Sequence, residues 1–131
     1  MILALKTDGP TTEMWLVEPG RGIDKPALVW ESGRNLSDEI LAKISGVLDV
    51  AHRSTLDIRG IVIFSGPGSF TSLRIGHTVA NALADSLQIP VVGSRGDAWL
   101  EDGIKQAADA KPGHPALPFY GAEANITRPK A

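Results

Sequence analysis

A glycine-rich turn between an apolar run and the start of a helix is the segment of this chain best suited to chemistry. Residues 65–76 read Ser-Gly-Pro-Gly-Ser-Phe-Thr-Ser-Leu-Arg-Ile-Gly. Glycine and proline at such a place permit unusual backbone dihedrals and end the preceding strand. Because the backbone amides at a helix N-terminus attract anions, the turn is a candidate anion site. Its residues are Gly66, Pro67, Gly68, Ser69, Thr71 and Arg74.

The turn departs from both common phosphate-binding motifs. A Walker loop requires a lysine after its last glycine, and no lysine follows Gly68. A dinucleotide loop requires a third glycine where this chain has Thr71. Arg74 opposes the helix dipole near the helix start, which suggests a carboxylate or carbonyl partner and favours an anchoring role over substrate binding. A purely structural turn is the alternative interpretation.

The other ionisable residues form no recognisable catalytic or metal-binding pattern. His52, His77 and His114 are scattered along the chain, and none has a second histidine four residues away. The acidic residues between positions 97 and 102 are typical of a solvated helix face. The sequence therefore predicts no catalytic residue and no metal site, and no cofactor is expected.

Composition limits the classes of protein to consider. The 131 residues, 43% of them hydrophobic, are typical of one globular domain. The formal net charge is −2 and the basic residues are scattered, so direct binding of tRNA or DNA by this chain alone is not expected. No cysteine is present, which excludes disulfides. The sequence has neither a signal-peptide pattern nor a long apolar run, so we expect a cytoplasmic protein that does not associate with a membrane.

The elements that must position the turn follow from hydrophobic periodicity. Three short apolar runs at 2–6, 14–18 and 27–30 predict antiparallel strands, and a helix is predicted over 37–53 with Ser37 as its cap. The continuously apolar run 60–64 predicts a buried strand, followed by a helix over 72–87, a strand over 90–93 and a helix over 97–110. Because crossovers through helices require parallel strands, this order predicts an α/β domain with a mixed five-stranded sheet. The pattern is that of a ribonuclease H-like domain, as in the sugar kinase, Hsp70 and actin superfamily.

We expect that domain to span residues 1–110. Residues 111–118 carry three prolines and a glycine, which predicts an extended connector, and a tail continues to residue 131.

Residues 65–76 closely resemble the signature G-P-G-S-F-T-G-L-R-I-G of the TsaB (YeaZ) family, with Ser72 in place of the usual glycine. The opening residues 2–5, the segment 89–93 and the closing segment 118–122 also resemble that family. The resemblance covers residues 1 to about 100 and the tail. Members normally carry a second α/β subdomain between these parts, so the resemblance implies a short form that lacks most of it.

The resemblance implies a function in making threonylcarbamoyladenosine next to the anticodon of tRNA. Members act as non-catalytic scaffolds for TsaD, the threonylcarbamoyltransferase, and an ATPase, TsaE, joins the assembly. By this resemblance the chain would meet tRNA only through the complex. The partner contact is implied to involve the two helices that correspond to 37–53 and 72–87 here.

One departure bears on catalysis. Proteins of this superfamily usually have an aspartate in the first hairpin to manage metal or phosphate, and this chain has Lys6 there. An acid-to-base change, together with the missing second half of an interdomain cleft, argues against ATP hydrolysis.

The helix over 72–87 is apolar or small around much of its circumference, so it needs burial on two sides. We expect Ile75, Val79 and Leu83 to cover the sheet, and the small residues on the other side to let a partner helix approach closely. The predicted partner interface is Leu73, Gly76, His77, Ala80, Ala84, Ile40, Ile44 and Val47. Such a surface also predicts a homodimer when the partner is absent.

Three alternatives stay open. Both sides of the helix could be buried within this chain. The protein could be a nucleotide-binding or glycoprotease-like enzyme that uses Gly66-Pro67-Gly68 for phosphate. It could also be a self-associating scaffold whose homodimer is the functional state.

Overall fold

Five strands and three helices follow one another in the predicted order in a computed structural model, which describes residues 1–121. The strands are β1 (Ile2–Lys6), β2 (Thr11–Val17), β3 (Leu28–Glu31), β4 (Gly60–Phe64) and β5 (Val91–Ser94). The helices are α1 (Leu36–Val50), α2 (Phe70–Leu87) and α3 (Trp99–Asp109). None of these helices has the length and apolar composition that crossing a membrane requires.

The sheet has the strand order β3-β2-β1-β4-β5. Strand β1 pairs antiparallel with β2 and parallel with β4, and β4 pairs parallel with β5. The prediction of a mixed five-stranded sheet is therefore confirmed. Three parallel carboxyl ends, at residues 6, 64 and 94, meet at one edge, and the glycine-rich turn follows the middle one.

The sheet separates two apolar clusters. The first joins α1 and α2 to one face through residues such as Leu3, Ile40 and Ile63, and the second joins α3 to the other face through Val62 and Trp99. Every residue of β4 is buried, which explains its unbroken apolar run.

Helix α3 contains a glycine because it lies very close to the sheet. A Cβ atom on Gly103 would come within 2.3 Å of Val62 Cγ1. Glycine normally weakens a helix interior, and here it permits this close contact.

All three helices begin at other residues than predicted, and α3 begins at Trp99 rather than at residue 97. Helix α2 begins at Phe70 rather than near Ser72, and the Ser69 hydroxyl accepts a hydrogen bond from the Ser72 amide at 3.4 Å. Helix α1 begins at Leu36, so the prediction that Ser37 caps it is wrong; Asn35 holds the cap position without a side-chain hydrogen bond.

The segment predicted as an extended connector forms no helix or strand up to residue 121, and it packs against the domain. Ala116 is buried in the first cluster, and both its amide and its carbonyl bond to the side chain of Asn81. Residues 122–131, which include the end of the predicted tail, lie outside the described residues.

Candidate functional site

The glycine-rich turn packs tightly against two neighbouring segments. A Cβ atom on Gly68 would lie 2.5 Å from the Asp8 carbonyl oxygen, and the Ser69 amide donates a hydrogen bond to that same oxygen at 2.8 Å. Gly66 has a φ of 127°, and a Cβ there would lie 2.0 Å from the Phe119 carbonyl oxygen. Both glycines therefore allow a backbone-to-backbone approach that any side chain would prevent.

Part of the hydrogen-bonding capacity of the turn is already used. The amides of Ser69 and Ser72 have protein acceptors, whereas Thr71 lies exposed within the first turn of α2. The expected carboxylate or carbonyl partner of Arg74 does not appear among residues 1–121; its guanidinium lies over the Phe70 ring, 5.1 Å from the ring centroid. Arg74 thus stacks on an aromatic ring that is 55% exposed.

Lys6 lies at the neighbouring strand end. Its ammonium group is 3.0 Å from the Asp8 carboxylate and 4.7 Å from the centroid of the Phe64 ring. Lys6, which stands where the family resemblance implied an acid, therefore forms an ion pair within this chain.

The residues predicted to form a partner interface are buried within this chain, so that part of the prediction is wrong. All eight lie in the interior of the α1–α2 layer or against the sheet; they are Leu73, Gly76, His77, Ala80, Ala84, Ile40, Ile44 and Val47. Helix α2 lies so close to Thr7, the residue that follows β1, that a Cβ on Gly76 would lie 1.9 Å from Thr7 Oγ1.

These residues are buried because small side chains allow any neighbouring element, a sheet as well as a partner helix, to approach the helix closely. In α2 the small side faces the sheet, which lets the helix axis come near it. Ile75, Val79 and Leu83, which were expected to cover the sheet, are only partly buried and border the first cluster. The sequence pattern correctly identified two distinct sides of α2 but assigned them the wrong way round.

The outer surface of the helix pair is therefore built from different residues. A groove of about 360 Å³ lies between the start of α1 and the outer side of α2. Its lining residues are Ser37, Thr71, Arg74, Ile75, Thr78 and Val79. Leu41 lies one helical turn beyond Ser37 on the same side and is 62% exposed. We call these seven residues the outer helical surface.

The periodic pattern groups Leu41 with the other apolar residues of α1, and the predicted partner interface did not include it. Its apolar side chain lies off the buried stripe formed by Ile40, Ile44 and Val47, and that mismatch was the available signal.

His77 is a buried histidine with one unsatisfied ring nitrogen. Its Nδ1 lies 2.7 Å from the Leu73 carbonyl oxygen, and its Nε2 has no hydrogen-bond partner within residues 1–121. A carbonyl oxygen only accepts, so Nδ1 carries the proton and Nε2 bears a lone pair. Burial lowers the pKa of His77 below its usual value, because a charged imidazolium would be poorly solvated there.

His52 and His114 are both exposed. Within residues 1–121 no three potential ligating side chains come together as a metal site would require.

Comparison with known proteins supplies the family. Residues 30–100 match the family model described as "TsaD: tRNA N6-adenosine threonylcarbamoyltransferase". The chain is 30% identical over 102 residues to the tRNA threonylcarbamoyladenosine biosynthesis protein TsaB of Escherichia coli K12, which covers 70% of this chain and 44% of that protein. It is 38% identical over 73 residues to a tRNA N6-adenosine threonylcarbamoyltransferase of Methylobacillus flagellatus, covering 56% of this chain and 20% of that protein.

Solved structures agree with the sequence matches. YeaZ from Pseudomonas aeruginosa superposes with a TM-score of 0.65 at 27% identity, covering 82% of this chain and 48% of the other. The chain thus spans less than half of the length of these relatives.

The strand order, the three layers and the structural match define a ribonuclease H-like domain. With the matches in sequence added, the chain belongs to the TsaB (YeaZ) family.

Proposed function

We propose that this chain acts in tRNA threonylcarbamoyladenosine biosynthesis as a non-catalytic scaffold that pairs with a TsaD-like threonylcarbamoyltransferase. The observation that carries the proposal is the outer helical surface, which combines an exposed leucine with a shallow apolar groove in a chain of this family. A TsaE-like ATPase would join the assembly, and tRNA would be met only through the complex, in the cytoplasm.

The chemistry of the outer helical surface suits a helix of a partner protein. Leu41 projects from α1, while Ile75 and Val79 form the apolar part of the groove on α2. Burying such side chains contributes about 25 cal/mol per Å² of apolar area. Threonine and serine at the rim of the groove can satisfy polar groups at the edge of an interface.

The non-catalytic part of the proposal is supported at the carboxyl edge of the sheet. The Lys6 ammonium group is paired with Asp8, and the Phe119 carbonyl lies against Gly66 of the turn. A lysine in an ion pair cannot ligate the metal ion that accompanies a nucleotide phosphate, and the Phe119 carbonyl occupies space at the edge where open α/β sheets usually bind ligands.

Co-purification with the TsaD-like protein of the same organism tests the pairing. Leu41→Arg places a long charged side chain on the outer helical surface and should weaken the complex at least about tenfold, because desolvating that charge opposes association. Ala108→Arg, at an exposed position of α3 on the opposite face of the sheet, is the matched control and should leave the complex intact. Equal binding by both variants would refute the proposed surface, and no complex with the parent chain would refute the scaffold function.

Calorimetry with ATP and Mg²⁺ separates the scaffold from the alternative of a nucleotide-binding enzyme. We expect no tight binding and no hydrolysis by the purified chain. Micromolar affinity for ATP would favour the enzyme, whereas weak retention of inorganic phosphate at the turn is compatible with a scaffold.

A further inference from the structure

Residues 115–120 cross the carboxyl ends of β4 and β5 without forming a helix or a strand. The Phe119 amide donates to the carbonyl oxygen of Ser65, the residue after β4, at 2.7 Å. The ring of Phe119 lies under the guanidinium group of Arg95, which follows β5, at 3.7 Å. This is the edge at which open α/β sheets bind ligands.

Asn81 holds the backbone of this segment with both ends of its amide group. Its Nδ2 donates to the Ala116 carbonyl oxygen at 3.0 Å, and its Oδ1 accepts from the Ala116 amide at 2.8 Å. Such a pair of bonds recognises a peptide backbone whatever side chain the residue carries.

The space around Ala116 limits the size of the side chain at that position. Ala116 is 7% exposed, and a Cβ on Gly93 of β5 would lie 3.7 Å from its methyl group. Only a small residue fits between Asn81 and the sheet at this point.

Aromatic side chains anchor the end of segment 115–120 that lies away from Ala116. Besides Phe119 under Arg95, the ring of Tyr120 stacks on Phe70 with 4.6 Å between centroids. Between the two anchored ends, Leu117 is 77% exposed. The described contacts of the segment therefore include a backbone clamp at Ala116, the backbone hydrogen bond from Phe119 to Ser65, one small-residue slot and two aromatic contacts. Backbone hydrogen bonds combined with a few side-chain pockets are the pattern by which proteins bind short peptides.

We propose that the carboxyl edge is a peptide-binding site that the chain fills with its own residues 115–120, and that it accepts the same peptide pattern from another molecule once this segment is released. The pattern is a small residue followed by aromatic residues three and four positions later. Prolines at 115 and 118 fix φ and reduce the entropy lost on binding. The inference uses none of the outer helical surface, which carries the proposed pairing, so each can fail without the other.

A labelled peptide with the sequence of residues 112–121 tests the site, with full-length variants and fluorescence anisotropy as the readout. The parent chain should bind it weakly, because its own segment competes at a high effective concentration. Ala116→Arg prevents the segment from entering the slot and leaves the slot itself unchanged, so the peptide should bind at least tenfold more tightly. Adding Asn81→Ala removes the clamp and should reverse the gain, and a peptide with arginine at the position of Ala116 should not bind.

Equal peptide binding by the parent and Ala116→Arg, or no effect of Asn81→Ala in that background, would overturn the proposal. Hydrogen exchange on the parent chain provides a second measurement if Ala116→Arg does not fold. The amides of Ala116 and Phe119 should exchange at least tenfold faster than those of Ile61 and Ser65, which bond to the loop before β5 and to its last residue. If all four amides exchanged at the same rate, segment 115–120 would be a permanent part of the core, and the proposal would also be overturned.

Discussion

At the scale of single residues, two glycines in the middle of helices illustrate how much a tertiary contact changes the meaning of a residue. Gly46 in α1 has nothing within 4 Å of the position of a Cβ atom. Gly76 in α2 has three atoms of Thr7 within 3 Å of that position, and Thr7 is fully buried. Glycine is therefore required by packing at position 76, whereas at position 46 there is space for a side chain.

Replacing each glycine by alanine should have opposite effects. Gly46→Ala should stabilise the protein by about 0.5–1 kcal/mol, because alanine restricts the unfolded chain and favours the helix. Gly76→Ala should destabilise it by about 1–3 kcal/mol, because α2 or the segment at Thr7 must move to accommodate the methyl group. Urea denaturation of both variants measures the two free energies of unfolding. The double variant Thr7→Ala/Gly76→Ala should recover part of the loss, and a stabilising Gly76→Ala would contradict the observed packing.

Ala80 and Ala82 form a second matched pair on α2. Ala80 is fully buried, whereas Ala82 is exposed. Ala80→Arg should cost about 3–5 kcal/mol and prevent folding of the isolated chain, because an unpaired charge would be forced into the core. Ala82→Arg should change the melting temperature little. If Ala80 faced a partner, as the sequence pattern predicted, the Ala80→Arg variant would stay folded and lose only its association. A soluble Ala80→Arg variant with the melting temperature of the parent would therefore support that prediction and contradict the burial of Ala80.

His77 should make stability depend on pH. Its pKa is lowered in the folded state by burial, so the unfolded chain binds a proton first as the pH falls. The free energy of unfolding should therefore be unaffected above the unfolded pKa of about 6.5, and decrease as the pH falls below that value. Denaturation at pH 7.5, 6.5 and 5.5 measures the change. His77→Leu should remove this part of the dependence, and an identical slope in that variant would assign it to other groups.

At the scale of elements, the start of α2 allows a direct comparison of two hydroxyls. Both Ser69 and Thr71 carry a hydroxyl group, and the structure places Ser69 at the cap position and Thr71 inside the helix. Ser69→Ala should cost about 0.5–1 kcal/mol through loss of the cap, whereas Thr71→Ala should be close to neutral. Thermal unfolding distinguishes them; a larger loss for Thr71→Ala would contradict the cap assignment.

Helix α2 also shows why a helix that is apolar on two sides is hard to orient from sequence. Either side of α2 could face the sheet by hydrophobicity alone, since alanine and glycine line one side and branched residues the other. Close packing favours the small side against a flat sheet, which leaves the branched side beside α1 and the outer groove.

At the scale of the whole molecule, the outer helical surface should also govern self-association. We expect a homodimer in the absence of a partner, because an exposed apolar surface is most commonly covered by a second copy. Light scattering at tens of micromolar should give the dimer mass for the parent and for Ala108→Arg, and the monomer mass for Leu41→Arg. A monomeric parent of normal solubility would count against the assigned surface.

The sequence by itself determined the elements, their order and the ribonuclease H-like class. The buried strand β4 and the amphipathic α1 carry strong periodic signals, and a right-handed crossover between parallel strands leaves few topologies to choose from. The motif at residues 65–76 also gave the family, which the match over residues 30–100 supports.

Only the tertiary structure decided which side of each element is free. The eight residues expected at a partner interface lie in the chain's own core, while Leu41 and the outer groove became visible only once α1 and α2 were placed together. The same holds for Gly66 and Asn81, whose partners lie 53 and 35 residues away near the end of the described chain. Periodicity reports that a residue needs burial, but contacts between distant segments determine what buries it, and those contacts exist only in the folded chain.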